Sequence, residues 1–126
     1  MSNNNTYTLN EYQQDAKSTC MASCDNITYL TMGMFAEAGE VADKIAKWVR
    51  KREAYISNAY LVFDTSNPEK VYERRRELLK EVGDVLWFVA CLADHLGFTL
   101  QEVAEMNIEK LQERKANGTI ISHTDH

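Results

Sequence analysis

An all-α fold is the class that the sequence predicts, and three observations support it. Apolar residues recur at three- and four-residue steps over residues 27–52, which is the spacing of one face of a helix. Residues 68–96 show the same spacing and contain VLWFVACLA, nine consecutive apolar residues. No internal repeat, low-complexity tract or Pro/Gly-rich linker interrupts the chain. We therefore predict a four- to five-helix bundle, formed by a single domain over residues 1–126.

The first two helices differ in the strength of their pattern. A weakly amphipathic helix is predicted at about residues 10–24, and a strongly amphipathic one at about residues 27–52. The apolar stripe of the second helix consists of Leu30, Met34, Ala38, Val41, Ile45 and Val49. Residues 53–67 break the helical pattern, and AYLVFD within them fits either a short strand or an apolar patch on a loop. We treat this segment as an insertion or loop.

Local signals mark the ends of the last two helices. The third helix begins at Pro68, with Asn67 as its N-cap, and ends just before Gly97. The predicted core stripe of this helix is Leu78, Val82, Val85, Val89, Leu92 and Leu96. The fourth helix opens with a capping box formed by Thr99 and Glu102. A short polar C-terminal tail, TIISHTDH, follows it.

The run VLWFVACLA also bears on assembly. A helix that is apolar all round must be buried on all sides. In a protein of this size, three other helices cannot cover it completely. We therefore expect a homo-oligomer, either a dimer or a tetramer.

Composition excludes several classes of partner. The formal net charge of −5 argues against a nucleic acid or an anionic membrane as the main partner. No segment is long and apolar enough to span a bilayer, and the N-terminus lacks the pattern of a signal peptide. Three cysteines in such a chain fit reduced thiols, so we expect a cytoplasmic location.

Two pairs of acids suggest chemistry. Glu37 and Glu40 lie one turn apart in EAGE, at the edge of the apolar stripe of the second helix. Glu81 and Asp84 lie one turn apart in EVGD, beside the stripe of the third helix. If the two stripes pack together, four like charges meet in a poorly solvated seam unless a cation neutralises them. Carboxylate oxygens without His or Cys suit Mg²⁺ or Mn²⁺.

The residues alone leave an alternative open. Acids at this spacing commonly form a solvated helix face, or pair with lysines such as Lys44. A di-iron site fits poorly, because no His in the chain has a Glu three residues before it.

The last helix presents polar groups beside its apolar stripe. Asn107, Lys110 and Arg114 stand three and four residues apart and share a face with Val103 and Leu111. The two cationic side chains could extend to water along the apolar surface, or could hold phosphate oxygens.

Three segments together carry a family resemblance: YQ at Tyr12 and Gln13, GMFAEAGEVADKIAKWVRK from Gly33, and ELLKEVGDVLWFVACLADHLGFTLQEVAEMNIEKLQERKANGTI from Glu77. They resemble the MazG-like nucleoside triphosphate pyrophosphohydrolases of the all-α NTP pyrophosphatase superfamily. The resemblance implies a Mg²⁺-dependent hydrolase, oligomeric on a helical core, that converts nucleoside triphosphates (NTP/dNTP) to nucleoside monophosphate and pyrophosphate. It leaves open a narrower enzyme for dUTP or dCTP, and a non-catalytic nucleotide-binding or regulatory protein.

The resemblance also implies roles for single residues. The metal-binding and catalytic acids would be Glu37, Glu40, Glu81 and Asp84. The substrate-binding set would be Gln13, Lys47, Asn107, Lys110 and Arg114, with Gln13 approaching the base. Two departures stand out: the gap between the acid pairs is longer than in compact members, and the tail gives no role to His123, Asp125 or His126.

Overall fold

The computed structural model describes residues 6–118, which form four α-helices, one 3₁₀ turn and one β-hairpin. The helices are α1 (Leu9–Ser18), α2 (Ile27–Arg50), α3 (Pro68–His95) and α4 (Leu100–Ala116), and the 3₁₀ turn is Ala22–Cys24. The hairpin consists of β1 (Ala54–Ser57) and β2 (Tyr60–Phe63). Helices dominate as predicted, and the small sheet is an addition to the all-α class. The polar tail from Thr119 onward lies outside the described residues.

The chain divides into two compact units. The central unit, residues 26–89, contains α2, the hairpin and most of α3. The terminal unit combines residues 1–25 with residues 90–126, and its described part contains α1, the 3₁₀ turn, the last turns of α3, and α4.

The first helix is shorter than predicted. It ends at Ser18, so the expectation that it continues to residue 24 is wrong. The hydroxyl of Thr19 donates to the carbonyl oxygen of Ala16 at 2.7 Å. The hydroxyl of Ser18 donates to the backbone carbonyl oxygen of Asp15. These side chains satisfy carbonyl groups at the end of the helix, and hydroxyl residues of this kind compete with helical backbone bonds.

The predicted ends of α3 and α4 are confirmed. The backbone N–H of Glu69 donates to Asn67 Oδ1 at 3.0 Å, and Pro68 is the first residue of α3. The capping box of Thr99 and Glu102 is present at the start of α4. Gly97, between the two helices, adopts φ 85°, a conformation that glycine reaches without a steric cost. Within residues 6–118, no single helix is both long enough and apolar enough to cross a membrane.

Residues 53–67 contain a hairpin that packs on α2. Ala54 pairs with Phe63, and both side chains are buried together with Trp48 of α2. The rings of Trp48 and Phe63 meet edge to face, with centroids 5.2 Å apart. The turn places Asn58 and Ala59 at φ 51° and 68°, as the tight turns that suit hairpin twist require. The alternating apolar residues therefore form strands and not a loop patch.

Helices α2 and α3 run antiparallel within the central unit. The rings of Tyr29 and Phe88 lie 5.7 Å apart, whereas Lys44 Nζ lies 3.8 Å from Glu77 Oε2 nearer the other end. Leu30 and Trp48 of α2 and Phe88 of α3 are buried.

Parts of the predicted stripes are exposed. Val49 of α2, Val82 of α3 and Leu96, which directly follows α3, belong to the predicted core, yet each is more than two fifths exposed. Leu86 is also exposed, so a single chain does not bury VLWFVACLA on all sides. Because the run contains no polar residue, its sequence does not show which side of the helix is buried. Packing against α2 buries the side that carries Phe88.

Candidate active site

Three of the four predicted acids meet between α2 and α3. One carboxylate oxygen each from Glu37, Glu81 and Asp84 lies within 4.8 Å of the others. Glu81 and Asp84 are one turn apart on α3, so their side chains lie on one side of that helix. Because α2 runs antiparallel to α3, Glu37 reaches the same point from the opposite helix. We call these three residues the acid cluster.

The electrostatics of Glu37 reflect this crowding. Its pKa is raised, first because partial burial removes water from the carboxylate, and then because of the negative charges of Asp84, Glu40 and Glu81. Glu40 is exposed and is not one of the three residues of the acid cluster. Its charge nevertheless acts on Glu37, so the fourth acid belongs to the same electrostatic environment.

The nearby lysines bind other partners. Lys44 contacts Glu77 of α3, and its ammonium lies 5.5 Å from the centre of the Trp48 ring. Lys47 forms an ion pair with Asp43 at 2.9 Å, one turn earlier on α2. Among residues 6–118, no ion pair connects a lysine or arginine to the acid cluster or to Glu40. The alternative in which Lys44 neutralises the EAGE acids is therefore wrong.

The donor set of the acid cluster fits a hard divalent cation. It consists of carboxylate oxygens from two facing helices, with no nitrogen or sulfur ligand. Mg²⁺ and Mn²⁺ prefer oxygen ligands of this kind, and one such ion would offset the repulsion that raises the pKa of Glu37.

A cavity of about 550 Å³ borders the acid cluster, and the sequence reasoning missed most of its lining. Glu37 is part of its wall, and Tyr29, Gly33 and Phe88 are among the other lining residues. One signal was available in the sequence. A glycine in the middle of a helix costs roughly 1 kcal/mol relative to alanine, so Gly33 required a packing or functional reason.

Gln13 has a structural role that the sequence did not reveal. Its side chain is 2% exposed, and its amide N–H groups donate to the carbonyl oxygens of Ala90 and Phe98, both at 3.1 Å. Its carbonyl oxygen accepts from the N–H of Leu100 at 3.0 Å, at the start of α4. Both amide N–H groups of Gln13 are therefore engaged within the protein, and neither is left to donate to a nucleotide base.

The predicted phosphate-side residues lie on α4, in the terminal unit. Asn107 and Lys110 are exposed, whereas Arg114 is half-buried like Val103 and Leu111. The prediction that these side chains border an apolar stripe agrees with this burial. Their role toward a substrate stays a prediction.

The fold and the acid cluster together define a predominantly helical protein with an oxygen-donor site between two antiparallel helices. The family model of the MazG nucleotide pyrophosphohydrolase domain matches residues 26–119, which cover α2, the hairpin, α3 and α4. The chain belongs to this family. Membership indicates a nucleotide pyrophosphohydrolase and hence a nucleotide substrate.

Two relatives carry names that state no activity. The chain is 36% identical over 122 residues to the Gene 37 protein of Mycobacterium phage L5, covering 91% of this chain and 95% of that protein. It is 43% identical over 42 residues to the uncharacterized protein YvdC of Bacillus subtilis (strain 168), covering 33% of this chain and 40% of that protein. No solved structure matches the chain significantly.

Proposed function

We propose that this protein hydrolyses nucleoside triphosphates to nucleoside monophosphate and pyrophosphate, with Mg²⁺ as cofactor and Mn²⁺ as a substitute. The acid cluster carries the proposal, because three carboxylate oxygens within 4.8 Å of one another can hold one divalent cation, and the family of this chain acts on nucleotides. The ligands would be Glu37, Glu40, Glu81 and Asp84. When bound, the cation would supply neutralisation of the triphosphate and Lewis-acid polarisation of its oxygens.

The carboxylates of the chain also supply a base. Glu37 and Glu40 are the two candidates for this base. The carboxylate would accept a proton from the attacking water while the water oxygen forms a bond to phosphorus. The bond between the α–β bridging oxygen and the attacked phosphorus breaks, and pyrophosphate departs from the monophosphate.

Cationic and amide side chains would hold the phosphates. We assign this role to Lys47, Asn107, Lys110 and Arg114, where positive charge and N–H donors would stabilise the transition state. Lys47 would exchange its contact with Asp43 for a phosphate oxygen, which an exposed ion pair permits at low cost.

The experiment that tests this proposal measures pyrophosphate release from the eight common ribo- and deoxyribonucleoside triphosphates, with and without Mg²⁺. We expect metal-dependent release of pyrophosphate from at least one of them. Production of nucleoside diphosphate and orthophosphate would contradict the reaction class. Activity on dUTP or dCTP alone would identify the narrower enzyme, and inactivity on all eight would favour a non-catalytic nucleotide-binding protein.

We also propose a homo-oligomer, a dimer or a tetramer, joined through exposed apolar residues of α3. Leu79, Val82 and Leu86 recur at helical spacing, and Leu79 is 63% exposed. Light scattering should report more than one subunit at micromolar concentration. Leu79→Glu should dissociate the assembly, whereas Ile56→Glu, at an exposed site on β1, should not. A monomeric wild-type protein would refute this assembly.

A further inference from the structure

The basic residues of the chain are concentrated in one region. Residues 44–80 contain ten of the 14 lysines and arginines, but only five of the 19 aspartates and glutamates. This segment therefore has a formal excess of five positive charges, whereas the whole chain has a net charge of −5. The net charge of the chain is an average over two regions of opposite sign, and a polyanion responds to the local field of the region that it meets.

These residues come together at the hairpin end of the central unit. Trp48 in the last turn of α2 packs with Phe63 of β2, and Val71 in the first turn of α3 packs against the same cluster. Arg74 of α3 also binds Glu53, the residue before β1, at 3.1 Å. Cations at the end of α2 and at the start of α3 therefore lie at one end of the unit.

Most of these cations are not neutralised by the protein. Lys44, Lys47 and Arg74 pair with acids. The other seven are exposed, and none of them forms an ion pair within residues 6–118. Three of the seven, at residues 50–52, are consecutive and lead directly into the hairpin. Their positive charge is open to an anionic ligand.

Arg52 occupies a strained backbone position. Its N–H donates to the carbonyl oxygen of Val49 at 3.0 Å, and the N–H of Glu53 donates to that of Trp48 at 2.8 Å, which are the bonds of a Schellman motif at the end of α2. Arg52 is the left-handed residue of this motif, with φ 60°. Glycine is usual there because it has no Cβ atom to be crowded. An arginine at this position favours a role for its side chain.

The outer face of the hairpin carries two exposed tyrosines. Tyr55 pairs with Val62, and Ser57 pairs with Tyr60, so strand alternation places both tyrosines on the face opposite to the buried Phe63. Tyr55 is 53% exposed and Tyr60 is 75% exposed. Aromatic rings beside cations are the combination that binds single-stranded nucleic acids, because bases stack on the rings while the cations contact phosphates.

The rings favour a single strand over other polyanions. A duplex keeps the faces of its bases inside its own stack. An anionic lipid surface matches the charge but offers no flat partner to the tyrosine rings.

We propose that Arg50, Lys51, Arg52, Tyr55 and Tyr60 form a surface that binds single-stranded nucleic acid. The three cations contact phosphates, and the two tyrosine rings stack on bases without selecting a sequence. This inference does not depend on the proposed reaction, since it uses none of the residues assigned to it.

The test measures binding of a fluorescent oligothymidylate of about 20 nucleotides to the intact protein by fluorescence anisotropy. EDTA is present, so that phosphates cannot bind to the acid cluster through a cation. We expect a dissociation constant on the order of 10⁻⁶–10⁻⁴ M that rises with salt concentration. Absence of binding in this range would overturn the proposal.

Removal of the cations should change the salt dependence. Each phosphate contact contributes about 0.7 to the slope of log affinity against log salt for a single strand, so combining Arg50→Gln, Lys51→Gln and Arg52→Gln should lower the slope by about two. The charge control is Lys115→Gln, at an exposed cation of α4, which should leave the slope unchanged. An unchanged slope in the triple variant would exclude these cations.

Arg52→Gly separates binding from folding. It should weaken binding about fivefold at about 0.1 M salt, the effect of one phosphate contact. It should also raise the Tm, because glycine relieves the crowding at φ 60°. A purely structural role for Arg52 predicts unchanged affinity, which would contradict the proposal.

Tyr60→Leu tests the stacking contact. It should weaken binding about five- to a hundredfold and leave the salt slope unchanged, because stacking releases no counterions. Phe35→Leu, at an aromatic residue of α2 that is 83% exposed, should retain the affinity of wild type. Equal affinities of Tyr60→Leu and wild type would exclude the hairpin face.

Other ligands identify other outcomes. Equal or tighter binding of a duplex of the same length would reject stacking. Tighter binding to vesicles of phosphatidylserine and phosphatidylcholine would make the surface a membrane contact. Displacement of the strand in Mg²⁺ by a nucleoside triphosphate analogue, with CH₂ in place of the α–β bridging oxygen, would place the strand at the acid cluster. Strand binding without any pyrophosphate release would keep this surface and reject only the reaction.

Discussion

Two regions of the α2–α3 pair have opposite electrostatic designs. At the hairpin end, charges between the packed elements are paired: Lys44 contacts Glu77, and Arg74 binds Glu53 at 3.1 Å. Large aromatic side chains fill the space between the elements, with the Trp48 and Phe63 rings in edge-to-face contact. About midway along the pair, carboxylates face one another across the helices, and an open cavity extends from them toward the other end.

We interpret the paired, aromatic region as the part that stabilises the fold, and the acid cluster with its cavity as the proposed ligand site. Burial of apolar surface and paired charges favour the folded state. Clustered carboxylates oppose it, and such groups persist where function requires them. Four predictions test this division of roles.

The largest expected effect is at the hairpin end. Trp48 is 7% exposed, so Trp48→Ala should lower the free energy of unfolding by about 3–5 kcal/mol, through lost burial and the cavity left behind. Urea unfolding at a fixed protein concentration measures this change. Tyr55→Ala, at a position 53% exposed on the same hairpin, should cost less than about 0.5 kcal/mol. Similar costs for both variants would mean that this end does not form the stabilising core.

The second effect is a loss of catalytic activity when a residue of the acid cluster is changed. Asp84→Asn removes one charge of the acid cluster with little change of shape, and it should lower kcat/KM at least about a hundredfold, or about 2.7 kcal/mol of transition-state stabilisation. Glu77→Gln, also on α3 but paired with Lys44, should retain activity. Full activity in Asp84→Asn would exclude this aspartate from the site.

The third effect is a stability change of opposite sign. The raised pKa of Glu37 means that folding favours its protonated form. Its stabilising contribution is complete below the ordinary pKa of 4.5 and is lost as pH rises through the raised pKa, so the repulsion is expressed at neutral pH. In EDTA at pH 7, Asp84→Asn and Glu40→Gln should melt at the same or a higher temperature than wild type. They should also gain less from added Mg²⁺.

The control for these thermal melts is again Glu77→Gln, which should melt no higher than wild type and keep the full Mg²⁺ response. A lower Tm for Asp84→Asn in EDTA, with an unchanged gain from Mg²⁺, would show that the acids do not form one cation site.

The smallest effect concerns the hairpin turn. Ala59 adopts φ 68°, where its Cβ atom is crowded, so Ala59→Gly should raise the free energy of unfolding by about 1 kcal/mol. Asn58→Gly should give a smaller gain, because asparagine tolerates φ 51° better than alanine does. Differential scanning calorimetry can resolve both changes. A loss of stability in Ala59→Gly would contradict this account of the turn.

Local signals in the sequence determined the helical class and most helix ends. Asn67 and Pro68, Gly97, and the Thr99–Glu102 capping box act on the backbone within a few residues, so their effect is readable without tertiary contacts. The spacing of the two acid pairs was readable for the same reason, because residues three apart share a helix face.

Tertiary structure decided which faces pair. The sequence placed Val49 and Val82 in the core, but the structure buries Trp48 against the hairpin and Phe88 against α2, and it leaves those valines partly exposed. An apolar run such as VLWFVACLA carries no polar residue to mark its outer face, so its inward side is fixed only by the partner helix.

Tertiary structure also assigned partners to single side chains. Gln13 bonds to Ala90, Phe98 and Leu100, far along the chain, and Lys44 binds Glu77 and not the EAGE acids. The sequence by itself determined the helices and the spacing of the acids. Only the packing of α2 against α3 decided that Glu37 meets Glu81 and Asp84 and that Gly33 lies under Phe88, because those contacts depend on the register between elements distant in sequence.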